Sequence, residues 1–209
     1  MVNALIAGGK KALTRAVEGA EDSASNAVRD LKKAKLSRKD AVVGVAASGS
    51  TPYVMAAVAF AKKRKALTIG VASNRDCPLR SAVDIAITPE VGPEILTGST
   101  RLKAGTSEKL VLNMLSTAVM VRLGHVYDNL MIDMALTNQK LRERSTRILV
   151  EASGQNSRFV EHALRQSGHD LRVALVMLKK GVSSAVAKKK LKESKGNLRA
   201  ALGEQGKNG

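Results

Sequence analysis

The sequence predicts an α/β protein, with a parallel sheet flanked by helices and then a small bundle of helices alone. Three observations carry that expectation. Three short, mostly apolar runs, Ala41–Ala47, Ala66–Ala72 and Asp84–Thr88, suit parallel strands buried on both faces. The first and third lead through loops of Gly, Ser and Thr into helical patterns, the strand–loop–helix order of an open α/β sheet. After Gly154 the pattern changes to helices punctuated by Gly168 and by Gly196-Asn197.

Taken in order, Asn3–Gly9 is apolar and then glycine-rich. Lys10–Glu18 has helical spacing, with Ala12, Leu13, Ala16 and Val17 on one side. Glu18-Gly19-Ala20-Glu21-Asp22 places three carboxylates in five residues; alone, such a run is solvated or helps to cap the next helix. That helix runs to about Lys35, with Asp22 or Ser23 suited to its N-cap. Ala41–Ala47 passes into Ser48-Gly49-Ser50-Thr51-Pro52, and Tyr53–Phe60 reads as helix, with Pro52 in the first turn, where its missing N–H costs nothing. Ala66–Ser73 is the next strand, Leu79–Val83 allows a helical turn or two, and Asp84–Thr88 is the third strand.

Gly92–Thr106 then supplies Gly, Ser and Thr together with Arg101 and Lys103. Thr106–Leu123 repeats apolar residues at helical intervals, from Leu110, Val111, Met114 and Leu115 to Leu123, which predicts a broad core-facing stripe. Gly124 stops it, and Tyr127–Val150 reads as further helix with a charged surface at Lys140–Arg147. Asn156–Gln166, Asp170–Lys180, Ser183–Ser194 and Leu198–Leu202 read as four short helices. The expected division is 1–150 for the sheet domain and 151–203 for the bundle, with 204–209 a polar, disordered tail.

Composition narrows the function classes. At 209 residues, 44% hydrophobic and 25% charged, the chain is long enough for one sizeable core. A single cysteine, Cys77, excludes an internal disulfide framework and fits a reducing compartment; no feature activates it, so it reads as an inert thiol. No signal pattern or long uncharged apolar run is present, which points to a cytoplasmic protein. Five methionines, at 114, 120, 131, 134 and 177, read as core packing, and three scattered histidines lack ligand spacing. The net charge of +17 is concentrated at the end, with sixteen Lys or Arg against six Asp or Glu from Lys140 onward. Such a tail can attract nucleic acid non-specifically, but aromatics are only 2% of the chain, too few for base stacking. A solvated basic surface is the favoured reading.

The chemistry lies in the two polar loops. Each follows a strand and precedes a helix, which brings backbone N–H groups and a helix N-terminus onto an anion. Either could be an ordinary capping loop; together they fit one phosphorylated ligand at the rim of the sheet.

These residues also carry a resemblance. V-G-V-A-A-S-G-S-T-P-Y, I-T-P-E-V-G-P-E-I-L-T-G-S-T-R-L-K-A-G-T and K-L-V-L-N-M-L-S-T-A resemble the N-acetylmuramic acid 6-phosphate etherases. These are sugar-isomerase-type (SIS) domain proteins related to the glucokinase regulatory protein. The resemblance runs from Ala4-Leu5-Ile6-Ala7-Gly8-Gly9 to about Leu202. It implies a flavodoxin-like SIS sheet followed by a small bundle related to ubiquitin-associated domains.

It also implies a lyase that cleaves the lactyl ether of N-acetylmuramic acid 6-phosphate, with no metal or organic cofactor. Carried over by position, Glu21 is the base, and Glu18 and Asp22 are structural neighbours. Ser48, Gly49, Ser50 and Thr51 hold the phosphate, and Glu94, Ser99, Thr100, Arg101 and Lys103 line the sugar side. Asn129, Asp133 and Asn138 match polar positions beside the site or at a dimer interface. The family's first strands and its acid glutamate lie upstream of the stretch matched by Met1-Val2-Asn3-Ala4. The expectation is therefore an incomplete SIS domain with an exposed sheet edge, and a homodimer whose interface lends residues to the site. The alternative is a sugar-phosphate sensor without chemistry.

Overall fold

The structure is a computed structural model, and residues 2–134 and 136–204 are described. Three apolar runs become the parallel strands β1 (Ala41–Val45), β2 (Leu67–Val71) and β3 (Ile85–Ile87), in the order β1-β2-β3. Their crossovers are the helices α2 (Pro52–Lys63) and α3 (Pro78–Ala82). Glycine lets these helices sit close to the sheet. Gly44 and Gly70 are register partners. A Cβ on Gly44 would come within 2.8 Å of Val58 and 2.9 Å of Val54, and one on Gly70 within 2.9 Å of Leu79.

At the other end of the sheet, buried Thr68 ties β2 to the start of β3. Its Oγ1 and N–H both donate to the Asp84 carboxylate, at 2.7 and 2.9 Å. Beyond β1 the described residues contribute no further strand, and Val43 is left 38% exposed.

Helix α1 (Ala24–Lys33) is capped by the Ser23 hydroxyl, which accepts from the Asn26 N–H. Its buried residues, Ala27 and Leu31, pack with Tyr53 and Ala57 of α2. The helix expected over Lys10–Glu18 is not formed. Only a 3-10 turn, Gly9–Leu13, is present, and Leu13 is 71% exposed. The apolar stripe there is too short to be held without a packing partner.

Helix α4 spans Lys103–Arg122. Its expected core stripe is also absent: only Ala104 and Val111 are buried, while Leu110, Met114, Val119, Val121 and Leu123 are exposed.

The chain forms two compact units, residues 2–114 and 115–204. The first holds the sheet with two small apolar clusters, one built on Val58, Cys77 and Leu79 and the other on Leu31 and Tyr53. The second is helical, and the expected boundary at residue 150 falls within its helix α5 (Gln139–Ser153). Ile148 and Leu149 of α5 share one core with Val160, Leu164, Val173, Val176, Leu198 and Leu202.

Tyr127–Val150 is not one helix. Val126–Tyr127 (β4) and Leu130–Met131 (β5) form an antiparallel hairpin, and α5 starts only at Gln139, capped by Asn138. Asp128 takes φ 52° in its turn, a conformation open to Asp and Asn at low cost. The remaining helices follow their sequence signals: α6 (Ser157–Ser167), α7 (Leu171–Lys180), α8 (Ser184–Glu193) and α9 (Leu198–Leu202). Their N-caps Asn156, Asp170, Ser183 and Asn197 each accept a backbone N–H.

Of the methionines, Met177 is buried and Met134 packs against the helical core, but Met114, Met120 and Met131 are exposed. Residues 205–209 of the expected tail lie outside the described residues. Glu204 is bound, its carboxylate accepting from Tyr127 and Lys179. No helix among the described residues is long and apolar enough to cross a membrane.

Candidate functional site

The loop after β1 is shaped by a close approach that only glycine permits. Gly49 has φ +68°, and a Cβ there would lie 2.3 Å from the Cys77 Sγ. Its N–H donates to the Ala46 carbonyl at 2.8 Å, and its own carbonyl accepts from Leu79 at 2.9 Å. The turn is thus anchored to β1 on one side and to α3 on the other. Ser48 and Ser50 stand outward, with the Ser50 hydroxyl donating to Ser48 Oγ at 3.0 Å. Thr51 is the N-cap of α2, yet its hydroxyl makes no bond to that helix's backbone. Two exposed hydroxyls and one unused cap hydroxyl therefore surround the positive end of α2, an arrangement suited to an anion.

The carboxylate-rich turn meets the same helix end. Glu21 lies in the turn that follows Val17, and its carbonyl accepts the Tyr53 N–H at 2.9 Å, one of the donors a helix start leaves without an internal partner. Tyr53 is buried, and its hydroxyl donates to the Asp30 carboxylate of α1 at 2.9 Å. Burial first, and then the Asp30 bond, push the Tyr53 pKa up to about 12. Tyr53 thus fixes Glu21 against the start of α2, while the Glu21 side chain stays exposed.

A cavity of about 1130 Å3 opens along the free edge of β1. Glu18, Glu21, Ser48, Thr51, Thr100 and Arg101 are among the residues that line it. Gly49, Ser50, Glu94, Ser99 and Lys103 are not.

Glu94 shapes the second loop from behind: its carboxylate accepts the N–H groups of Lys103 and Ala104, both at 3.2 Å, at the start of α4. Burial pushes the Glu94 carboxyl up, but donation by these N–H groups and the Lys103 charge outweigh it and hold the group below its ordinary value. Ser99 works similarly, its hydroxyl accepting the Arg101 N–H at 3.4 Å. Farther along α4 the Ser107 hydroxyl lies 3.2 Å from that of Ser73 at the end of β2. Next to it, Glu108 buries one carboxylate oxygen without a hydrogen-bond partner among the described residues, and burial raises its pKa.

Sequence patterns did not single out Tyr53, Arg15 or Glu108 as part of this region. Tyr53 carried one usable signal: it follows Pro52 in a helix's first turn, where an N–H must find a partner outside the helix. The three other polar positions of interest lie in the helical unit. Asn138 caps α5, Asp133 bonds the His125 ring, and Asn129 sits in the hairpin turn. Among the described residues no group of three or more His, Cys, Asp or Glu is arranged to hold a metal.

Comparison with known proteins identifies the family. The family of the glucokinase regulatory protein N-terminal SIS domain matches residues 1–62, the part that holds Glu21, β1, the Ser48–Thr51 loop and nearly all of α2. Proteins named N-acetylmuramic acid 6-phosphate etherase from Yersinia pestis (strain Pestoides F) and Yersinia pseudotuberculosis serotype O:1b (strain IP 31758) are each 52% identical over 202 residues. The match covers 97% of this chain and 68% of each relative. With identity of that order over nearly the whole chain, the chain belongs to the N-acetylmuramic acid 6-phosphate etherase family.

Proposed function

We propose that this chain is a carbon–oxygen lyase that cleaves the D-lactyl ether of N-acetylmuramic acid 6-phosphate, yielding N-acetylglucosamine 6-phosphate and D-lactate in amino-sugar recycling. The observation that carries the reading is a single cavity lined by Glu21, Ser48, Thr51, Thr100 and Arg101. In this reading the Ser48, Ser50 and Thr51 hydroxyls hold the phosphate against the start of α2, and Gly49, whose N–H and carbonyl are both engaged within the fold, shapes the turn that presents them. Thr100 and Arg101 lie along the sugar, and Glu94, Ser99 and Lys103 keep that second loop in shape.

Glu21 then takes the proton from the ring carbon bearing the acetamido group. The electron pair forms a double bond to the neighbouring carbon as the ether bond breaks. The departing oxygen leaves as the hydroxyl of lactate after receiving a proton, and water adds across the double bond. Lactate and the product sugar together contain the substrate plus one water. No step requires a metal or an organic cofactor.

The reading extends to a cytoplasmic homodimer. Exposed Leu110, Met114, Val119 and Val121 on α4 support the second copy, because a helix apolar on more than one face is normally covered. Assay of D-lactate released from the phosphorylated sugar tests the function. Glu21→Gln should abolish release while N-acetylglucosamine 6-phosphate still binds, and normal turnover by that variant rejects the assignment of the base. Binding of the sugar phosphates without any lactate from the unaltered protein would identify a sensor instead.

A further inference from the structure

The cavity beside β1 is lined by two arginines, Arg15 and Arg101, and by four carboxylates, those of Glu18, Glu21, Asp22 and Asp40. Among the described residues neither guanidinium pairs with any carboxylate. The two arginines come from different segments, Arg15 from the one that also carries Glu21 and Arg101 from the loop that enters α4.

Arg101 belongs to the loop that enters α4. That helix reaches the strand ends through Ser107 and Ser73, and the Ser73 N–H donates to the Ala47 carbonyl at 3.0 Å, directly before Ser48. Arg101 therefore belongs to an element tied to the strand end that leads into the Ser48–Thr51 loop, and it lines the same cavity as Ser48 and Thr51. Arg15 lies upstream of Glu21 in the same segment. Its backbone is held by donation from its N–H to the Lys11 carbonyl at 3.1 Å, and its side chain is exposed.

The substrate of the proposed reaction carries two anions at opposite ends, the phosphate on carbon 6 and the lactyl carboxylate attached through carbon 3. If the phosphate lies at the start of α2 and Glu21 reaches the proton on carbon 2, the lactyl group must lie on the Glu21 side. There it meets Glu18, Glu21 and Asp22, and like charges brought together in a partly desolvated cleft repel. Binding in that place requires a cation that those carboxylates have not already engaged. A guanidinium also matches a carboxylate with two parallel hydrogen bonds.

We infer that Arg15 is a specificity-determining residue that binds the lactyl carboxylate, while Arg101 serves the phosphate and sugar. The assignment rests on the etherase reading of this cavity. It separates the substrate from its sugar product: N-acetylmuramic acid 6-phosphate uses both arginines, and N-acetylglucosamine 6-phosphate, which lacks the lactyl group, uses only Arg101.

Calorimetric titration with each of these two sugars tests it, carried out with Glu21→Gln as the parent so that the first sugar is not converted into the second. Arg15→Ala should weaken N-acetylmuramic acid 6-phosphate by about tenfold or more, the loss expected for one hydrogen-bonded charged pair. It should leave N-acetylglucosamine 6-phosphate within about twofold, and Arg15→Lys should fall between the parent and Arg15→Ala for the first sugar only. Arg101→Ala should weaken both. Equal weakening of the two sugars by Arg15→Ala, or of neither, overturns the assignment and leaves the etherase reading standing. Failure of the unaltered protein to bind either sugar overturns both. Arg15 is exposed, and a circular dichroism spectrum unchanged in the variant confirms that the fold is retained.

Discussion

Gly49→Ala is the substitution whose cost can be worked most directly from the structure. Two penalties add. The residue has φ +68°, and a side chain in the left-handed region costs about 1–2 kcal/mol. The new methyl would also stand 2.3 Å from the Cys77 Sγ, 2.6 Å from its Cβ and 3.1 Å from the Ala72 Cβ. These neighbours are buried, so the overlap is relieved only by moving the loop or α3. Overpacking of this kind costs about 1–3 kcal/mol, and the total is about 2–5 kcal/mol. Against a stability of about 5–15 kcal/mol for a typical domain, that is a large fraction.

Urea unfolding followed by circular dichroism measures the loss. A second variant separates the terms: Cys77→Gly removes both close atoms but leaves the φ penalty. In a double-mutant cycle it should recover about 1–3 kcal/mol of the Gly49→Ala loss. N-acetylglucosamine 6-phosphate binding should be weakened in Gly49→Ala in parallel, because the displaced turn carries Ser48 and Ser50. Gly49→Ala within about 0.5 kcal/mol of wild type, the range of ordinary surface changes, would refute the argument. A cycle with no coupling to Cys77 would refute it as well.

Tyr53→Phe removes the donor to Asp30 and should cost about 1 kcal/mol in urea unfolding. The folded Tyr53 pKa is raised from 10.0 to about 12, so its neutral form is the one that folding favours. That contribution is fully present below pH 10 and is lost as pH rises through 12, a decline in this window that Tyr53→Phe should lack. For the proposed dimer, Leu110→Glu with Met114→Glu places charge on neighbouring turns of α4 where the side chains are 51% and 62% exposed. Burying such a side chain is worth about 1.5–3 kcal/mol, so the double change should shift sedimentation from dimer to monomer. An unaltered protein that sediments as a monomer at micromolar concentration rejects the dimer directly.

The strands were legible because a strand buried on both faces must be apolar throughout, and Ala41–Ala47 and Ala66–Ala72 have few other uses. The helices of the second unit were legible for a local reason too. Asn156, Asp170, Ser183 and Asn197 cap them, and Gly154, Gly168 and Gly181 take left-handed φ at their ends, so start and stop signals sit within the helix's own sequence. The β4–β5 hairpin escaped because two-residue strands show no alternation, and its flanking apolar residues fit helical spacing equally well. The Asp128-Asn129 pair was its one local mark. Helix α4 failed differently. Its type was correct, but a helix apolar on several sides does not say which side faces its own core.

The candidate site divides along the same line. Loop chemistry after a strand is local, so Ser48–Thr51 and Gly92–Thr106 could be read as candidate anion-binding loops from residue types alone. What brings them into one site is not local. The Gly49 turn rests on Cys77, and the Glu21 turn is held by the backbone of Tyr53, pairings across 28 and 32 positions that no periodicity encodes. Glu21 itself has the composition of a helix-capping segment, and Ser23, not Glu21, performs that task for α1. With the cap supplied elsewhere, the carboxylate of Glu21, a residue that lines the cavity, makes no hydrogen bond or ion pair among the described residues, and that freedom is what the proposed proton transfer uses.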